Sequence, residues 1–448
     1  MQRYGLFSGR VNHRAREQPN ESLCRAASTA GLRRTNAQVF EPRVTAAAAC
    51  HPLEHVAQPA LPPCRAADLV VDTAGDPTGD PPFGSYEAVA RAGQSLLAAE
   101  LSRRFGALGC AVLPLTPVAP PPGERFHWGR WFTAAAREAL AAAARDGRRL
   151  DAIGYAGAGS LALVHDAGLE ALVSPIHGEV VGNNRYSADA FVVAGDLDTA
   201  LAALANCSTD NAAARCLEGA GFASRDLGAS AWSRFDVDTP LDLALLRIGL
   251  HLPAARRPDP ALPAFLEMAL LPGGGGLSIP RLQEFGAVLR DRDSQLVAAG
   301  RIPSSAWSYL ETESACRVRC FIEERGMRSA RDAVPRSLLA DWAQRLGPAD
   351  LITELTALGD ALILDTRVLM AALVGSAEEA AWPPAEERFA SDFGDASRIA
   401  TPWLAELTSA AADARVPVLL GGHALVSDGL RILVDRAWLD GPPTASGC

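Results

Sequence analysis

Between residues 66 and 250, short runs rich in Val, Ile and Ala alternate with longer helix-periodic stretches, and this order limits the possible folds more than any other feature. Strands are expected at 68–72, 109–114, 151–155, 190–194 and 231–237, with helices near 86–105, 131–147, 196–206, 211–219 and 240–249. Strands separated by helices pair in parallel, so the pattern predicts an α/β domain with a mostly parallel sheet flanked by helices. Sheets of this kind collect ligands at the strand ends, where short polar side chains gather.

Two polar segments stand at such ends. In 235–243, FDVDTPLDL, Pro240 suits the first turn of a helix, and Asp238 or Thr239 is placed to cap it. Asp236 and Asp238 alternate with Phe235 and Val237, which on a strand turns both carboxylates to one side. Two readings stand: an oxygen site for Mg²⁺, or one helix cap beside one solvated aspartate. The second segment, 183–189, contains Asn183, Asn184, Ser187 and Asp189 ahead of an apolar run. It reads equally as a ligand-binding loop or as a polar turn. Asp210 is expected to cap the helix that ends near Gly219, and His177 is either a proton-transfer group or a solvated side chain.

FDVDTPLDLALL resembles the closing strand–helix motif, D-x-D-T-P-x-D-L, of nucleotidyltransferases of the molybdopterin-guanine dinucleotide and phospholactate guanylyltransferase type. Segments 68–72, 86–97 and 151–163 fit the same template in order, so the resemblance covers roughly residues 66–250. It implies a nucleotide-diphospho-sugar transferase-like (glycosyltransferase-A-like) fold and transfer of a nucleotidyl group from a nucleoside triphosphate to a phosphorylated small molecule. It also implies Mg²⁺ at Asp238 and Asp236, with Asp189 as a further carboxylate, and phosphate contacts from basic side chains.

The chain departs from that pattern in its charges. All 42 basic residues are arginine, the loop after the first strand offers Asp76 and Asp80, and Gly157, Ala158 and Gly159 stand where relatives carry a metal aspartate. Arg91, Arg125 and Arg130 are the arginines placed to replace the missing lysine, with the advantage of bidentate phosphate binding. The alternative is a catalytically inactive member of the same fold that binds ligands or acts as a scaffold.

The 448 residues have room for two or three domains, and 48% hydrophobic content supplies their cores. A net charge of −10 argues against broad affinity for nucleic acid or anionic membrane. Residues 1–65 hold nine Arg against four Glu without periodicity, and are expected to be a disordered extension. They lack the apolar core of about 7–15 residues that a secretory signal needs, and no run nears the ~18 apolar residues of a membrane span. Nine cysteines without a CxxC pair suggest reduced thiols and a cytoplasmic setting.

Beyond a linker at 251–263, residues 264–440 are expected to form a mainly helical domain with a few strands, followed by a tail at 441–448. The run 307–325 reads as its clearest amphipathic helix, which would set Cys316 and Cys320 on one face. Gly273–Gly276 has no following lysine to make a phosphate loop. Strand-like runs at 361–365 and 417–427 each enter a helix. Asp365, Arg367, His423 and Ser427 would then form a second polar site if those junctions were neighbours, and caps and turns otherwise.

Overall fold

Alternating large and small side chains give the first sheet two unlike faces. The computed structural model describes residues 67–72, 84–115, 126–228, 231–253, 255–324, 334–439 and 441. Its first half runs β1 (Ala67–Asp72), α1 (Tyr86–Ala107), β2 (Ala111–Leu115), α2 (Trp128–Arg145), β3 (Ala152–Ala156) and α3 (Asp166–Leu172). It continues through β4 (Glu179–Gly182), β5 (Ala190–Ala194), α4 (Leu197–Leu204), α5 (Ala213–Gly219), β6 (Ala223–Asp226) and α6 (Pro240–Leu250). Ile153, Tyr155, Phe191 and Val193 point to one face, where Phe132 of α2, Leu201 of α4 and Leu217 of α5 cover them. Ala152, Ala156, Ala190 and Ala194 point to the other, packed with Leu101 and Phe105 of α1 and Leu169 and Leu172 of α3. A period of two therefore sorts bulky from small residues, as a sheet covered on both sides requires.

The sheet order is β2-β1-β3-β5-β4-β6. β1 pairs in parallel with β2 and β3, and β4 with β6, but β5 runs antiparallel to both β3 and β4. The sheet is thus α/β but less uniformly parallel than the alternation suggests. β4 and β6 are four residues each and escaped the sequence reading, being too short to show a period. The strand expected at 231–237 does not form: a 3₁₀ turn at Ala231–Ser233 precedes an irregular segment. Both sides of β3 are already taken by β1 and β5, so no edge beside it is open to that segment.

The second half is mostly helix with four short strands, in keeping with the expected mainly helical segment with a few strands, and those strands join into one sheet. It contains α7 (Ala261–Met268), α8 (Leu282–Arg290), β7 (Gln295–Gly300), α9 (Ser304–Glu313), β8 (Arg317–Ile322), α10 (Leu338–Leu346) and α11 (Pro348–Thr356). After them come β9 (Ala361–Asp365), α12 (Thr366–Val374), α13 (Ala385–Asp392), α14 (Pro402–Asp413), β10 (Val418–Gly421) and α15 (Leu430–Leu439). Its four strands pair in parallel in the order β10-β9-β7-β8. The run 307–325 is α9 followed by β8 and not one helix, so Cys320 sits on a strand and the shared helical face with Cys316 does not exist. Arg-Val-Arg-Cys-Phe-Ile alternates with period two, and that pattern wins over the longer-range helical one.

The described residues form one compact unit, and the largest buried cluster includes Leu97 of α1, Leu245 of α6, Leu296 of β7 and Leu433 of α15. The 251–263 stretch, expected as a linker, is anchored by the buried Arg256, which reaches Glu100 of α1 and the Ala162 carbonyl. The N-terminus of α1 is completed from the second half, since the Glu386 carboxylate accepts the N–H groups of Tyr86 and Glu87 at 3.0 and 3.1 Å. Ser85 caps the same turn by accepting from the Ala88 N–H. Glu386→Ala is therefore expected to lower unfolding stability by about 1–2 kcal/mol in urea titration. An unchanged midpoint would show that this cap contributes nothing. No helix among the described residues is long and apolar enough to cross a membrane.

Candidate functional site

β1, β3 and β4 end, and β5 begins, at the same edge of the first sheet. That edge gathers the polar residues. Asn183, just past β4, is buried; its Oδ1 accepts the Ala190 N–H at 3.0 Å and its Nδ2 donates to Asp189 Oδ2 at 3.3 Å. The Asp189 carbonyl in turn accepts the Gly157 N–H at 2.9 Å, tying the start of β5 to the loop after β3. On the far side of that loop, the Gly159 carbonyl accepts the Val237 N–H at 3.2 Å. A methyl group on Gly159 would collide with the Val237 carbonyl and lie 2.9 Å from Asp236 Oδ1. The glycine permits this approach, and Leu161 two residues on holds φ +58°, a conformation that β-carbon sterics disfavour.

Phe235 and Val237 are buried while Asp236 is half-buried and Asp238 exposed, so the alternation survives without a strand. Thr239 caps α6, and the capping box is closed by Asp242, whose carboxylate accepts the N–H groups of Asp238 and Thr239 at 3.0 and 2.9 Å. Asp238 therefore is not the cap. Gln94 of α1 donates to the Val237 carbonyl at 2.9 Å and fixes the segment from a third side. Neither Gln94 nor Asp242 was singled out from the sequence; for Asp242, the T-P-x-D spacing carried the signal.

The electrostatics of this corner are one-sided. Burial, with the charges of Asp210 and Asp238, raises the Asp189 carboxyl to about 7 despite the hydrogen bond from Asn183. Burial, Asp238 and Asp189 together push Asp236 well above the usual carboxylate range. Asp242 is raised to about 7 by burial and by Asp238. Each carboxylate disfavours ionisation of the next, the condition that a cation relieves. No group of three or more His, Cys, Asp or Glu among the described residues is arranged to hold a metal ion, so a ready-made cage is absent there.

Other expected contacts fall differently. Asn184 Oδ1 accepts the Tyr186 N–H, a local turn contact. Ser187 donates to Asn211 Oδ1, which joins the loop to the 3₁₀ turn Asp210–Ala212. Asp210 stands inside that turn and accepts the Asn211 N–H, so it is not the helix cap expected. Arg91 is exposed and ion-paired with Glu87 at 3.9 Å, three residues from Gln94 on the same side of α1. Arg130 is exposed in the first turn of α2, where the His127 ring caps the helix by accepting its N–H. Arg125 and the 73–83 loop with Asp76 and Asp80 lie outside the described residues. His177 is exposed at the opposite end of β4, beside Asp196, and takes no part in the corner.

The second polar group is brought together. β9 and β10 are neighbours with Asp365 opposite Gly421. Asp365 is fully buried; against the cost of burial, the Arg301 guanidinium, forked onto it at 2.6 and 3.0 Å, holds its carboxyl below the usual range. Arg367 makes a matching fork with Asp392 at 2.6 and 2.5 Å. His423 is exposed, and the Ser427 hydroxyl donates to the Ala424 carbonyl. Paired charges of this kind hold strand ends together. Leu241 of α6 also reaches this edge, beside a cavity of about 150 Å³ bordered by Ile279, Asp392, Phe393 and Leu425.

No family model matches the chain, and neither the curated proteins nor the solved structures hold a match.

Proposed function

We propose that this chain is a metal-dependent nucleotidyltransferase-like enzyme that moves a nucleotidyl group from a nucleoside triphosphate to a phosphorylated small-molecule acceptor. The carrying observation is the meeting of Asp189 and Asp236 at the loop 157–159, where each opposes the ionisation of the other and the Asp238 charge opposes both. Likeness of 235–243 to the D-x-D-T-P-x-D-L motif supports the same reading.

Asp236 and Asp238, with Asp189 behind them, would hold Mg²⁺. The fit rests on charge, since Mg²⁺ takes one or two carboxylates and completes its shell with water and phosphate. Bound there, the cation would neutralise charge on the triphosphate. Asn183 sets the Asp189 carboxylate, and Gln94 and Gly159 set the segment that carries Asp236. Arg91, exposed three residues before Gln94 on α1, would offer a guanidinium for a phosphate oxygen. In the reaction an acceptor phosphate oxygen bonds to the α-phosphorus, the bond to the bridging oxygen breaks, and pyrophosphate leaves.

The inactive-binder alternative is favoured by one observation, the lack of a three-ligand metal group among the described residues. Thermal shift separates the two. With Mg²⁺ and the preferred triphosphate at about a hundred times Kd, stabilisation near 2.7 kcal/mol is expected, and Asp238→Ala should abolish it. A shift independent of metal, with no pyrophosphate released in the presence of acceptor phosphates, selects the binder. No shift with any of the four triphosphates at millimolar concentration would sink the transferase reading and favour the inactive one.

A further inference from the structure

Each sheet ends in two edge strands, and three of these edges are poor templates for a further strand. β2 contains Pro114, β6 is four residues long, and every residue of β10 is buried. β8 differs: it has six residues, no proline, and exposed side chains at Arg317, Arg319 and Ile322, the last of them 57% exposed. Among the described residues, β7 is the strand that pairs with it. The N–H groups of Arg317 and Glu323 donate to the Ser294 and Gly300 carbonyls, so the odd-numbered residues turn their backbone groups to β7. Those of Val318, Cys320 and Ile322 therefore point outward along the open edge.

We propose that β8 pairs antiparallel with β8 of a second copy of this chain, joining the two sheets across a two-fold axis at Cys320. Outward groups bond only to outward groups, so even-numbered residues face even-numbered ones. The register centred on Cys320 sets Val318 opposite the partner's Ile322 and covers that exposed side chain. On the other face it sets Arg317 opposite the partner's Glu323 and Arg319 opposite the partner's Phe321. Positive charge lies at the start of β8 and negative charge just past its end, so antiparallel pairing brings unlike charges together, and the two-fold axis makes each such pair twice. Glu323 is already held for this role: its Oε1 accepts the Ser337 hydroxyl and the Leu339 N–H, which leaves Oε2 to face the partner. The pairing rests on β8 alone and holds whether or not the acidic corner transfers nucleotides.

Sedimentation velocity of the full chain from low to high micromolar concentration, together with hydrogen exchange read by mass spectrometry, tests it. A monomer–dimer equilibrium is expected, with exchange at the Val318, Cys320 and Ile322 N–H groups slowing as the dimer forms. Arg317→Glu should weaken the dimer roughly tenfold, because it sets like charges opposite each other at both ends of the ladder. Cys320→Pro removes an outward N–H that the β7 ladder does not use, so a folded monomer is expected. Should the proline variant fail to fold by circular dichroism, Arg317→Glu decides, since that side chain is exposed. A chain that stays monomeric over this range overturns the proposal, as does a dimer unaffected by Arg317→Glu or one that forms without slower exchange at those three N–H groups.

Discussion

Arg256→Ala is expected to lower unfolding stability by about 3–5 kcal/mol, the cost of leaving a buried carboxylate without its partner. Arg256 and Glu100 are 6% and 3% exposed, so water cannot replace the lost contact. The guanidinium donates to Glu100 at 2.5 and 3.2 Å and to the Ala162 carbonyl at 2.6 Å, and Glu100 also accepts the Asp259 N–H at 3.0 Å. One ion pair thus ties α1, the chain after β3 and the segment after α6 to one point. Replacing both members together, Arg256→Met with Glu100→Leu, should recover most of the loss, because an apolar pair of similar volume needs no desolvation of charge. Urea denaturation measures both variants. A single variant within about 1 kcal/mol of the parent would mean that the pair is solvated, contrary to its burial.

The second large effect is a pH dependence at the acidic corner. Asp189 is raised from 3.8 to about 7, so between those values the folded chain holds a proton that the unfolded chain has released. Its contribution is fully present below pH ~4 and is lost as pH rises through ~7, at up to about 1.4 kcal/mol per pH unit. Asp189→Asn should therefore be more stable than the parent at pH 8, on the order of 2–4 kcal/mol, with the difference vanishing toward pH 4. Asp236 is raised by burial, by Asp238 and by Asp189, so removing the Asp189 carboxylate also eases its ionisation. Under the proposed function, millimolar Mg²⁺ with a triphosphate should flatten the parent's profile and leave that of Asp189→Asn nearly unchanged. Parallel profiles for parent and variant from pH 5 to 8 would remove the electrostatic basis of the site.

Some parts of this corner were legible in advance. Phe235 and Val237 turn inward and leave Asp236 and Asp238 on the other side, as their alternation requires, although no strand forms there. Asn183 and Asp189 meet because a short chain reversal between β4 and β5 returns them to one edge. Gln94, 143 residues from Val237, carries no such local signal. A glutamine in a helix looks the same whether it faces solvent or a distant carbonyl. Arg256 was hidden for the same reason in a stretch of Pro and Arg that reads as linker composition.

By itself the sequence determined the elements whose cause is local. The apolar runs at Ala190–Ala194 and Ala361–Asp365 become strands, and Thr-Pro-Leu-Asp starts α6 with its own capping box, since each depends on neighbours within a few residues. Only the tertiary structure decided that β5 runs against its neighbours, that the second half builds its own parallel sheet, and that Glu386 completes the first turn of α1 from 300 residues away. Strand order and the partners of buried charges follow from which surfaces meet when the cores close. Those surfaces share no sequence neighbourhood, so the pairing is set by packing and desolvation acting over the whole chain.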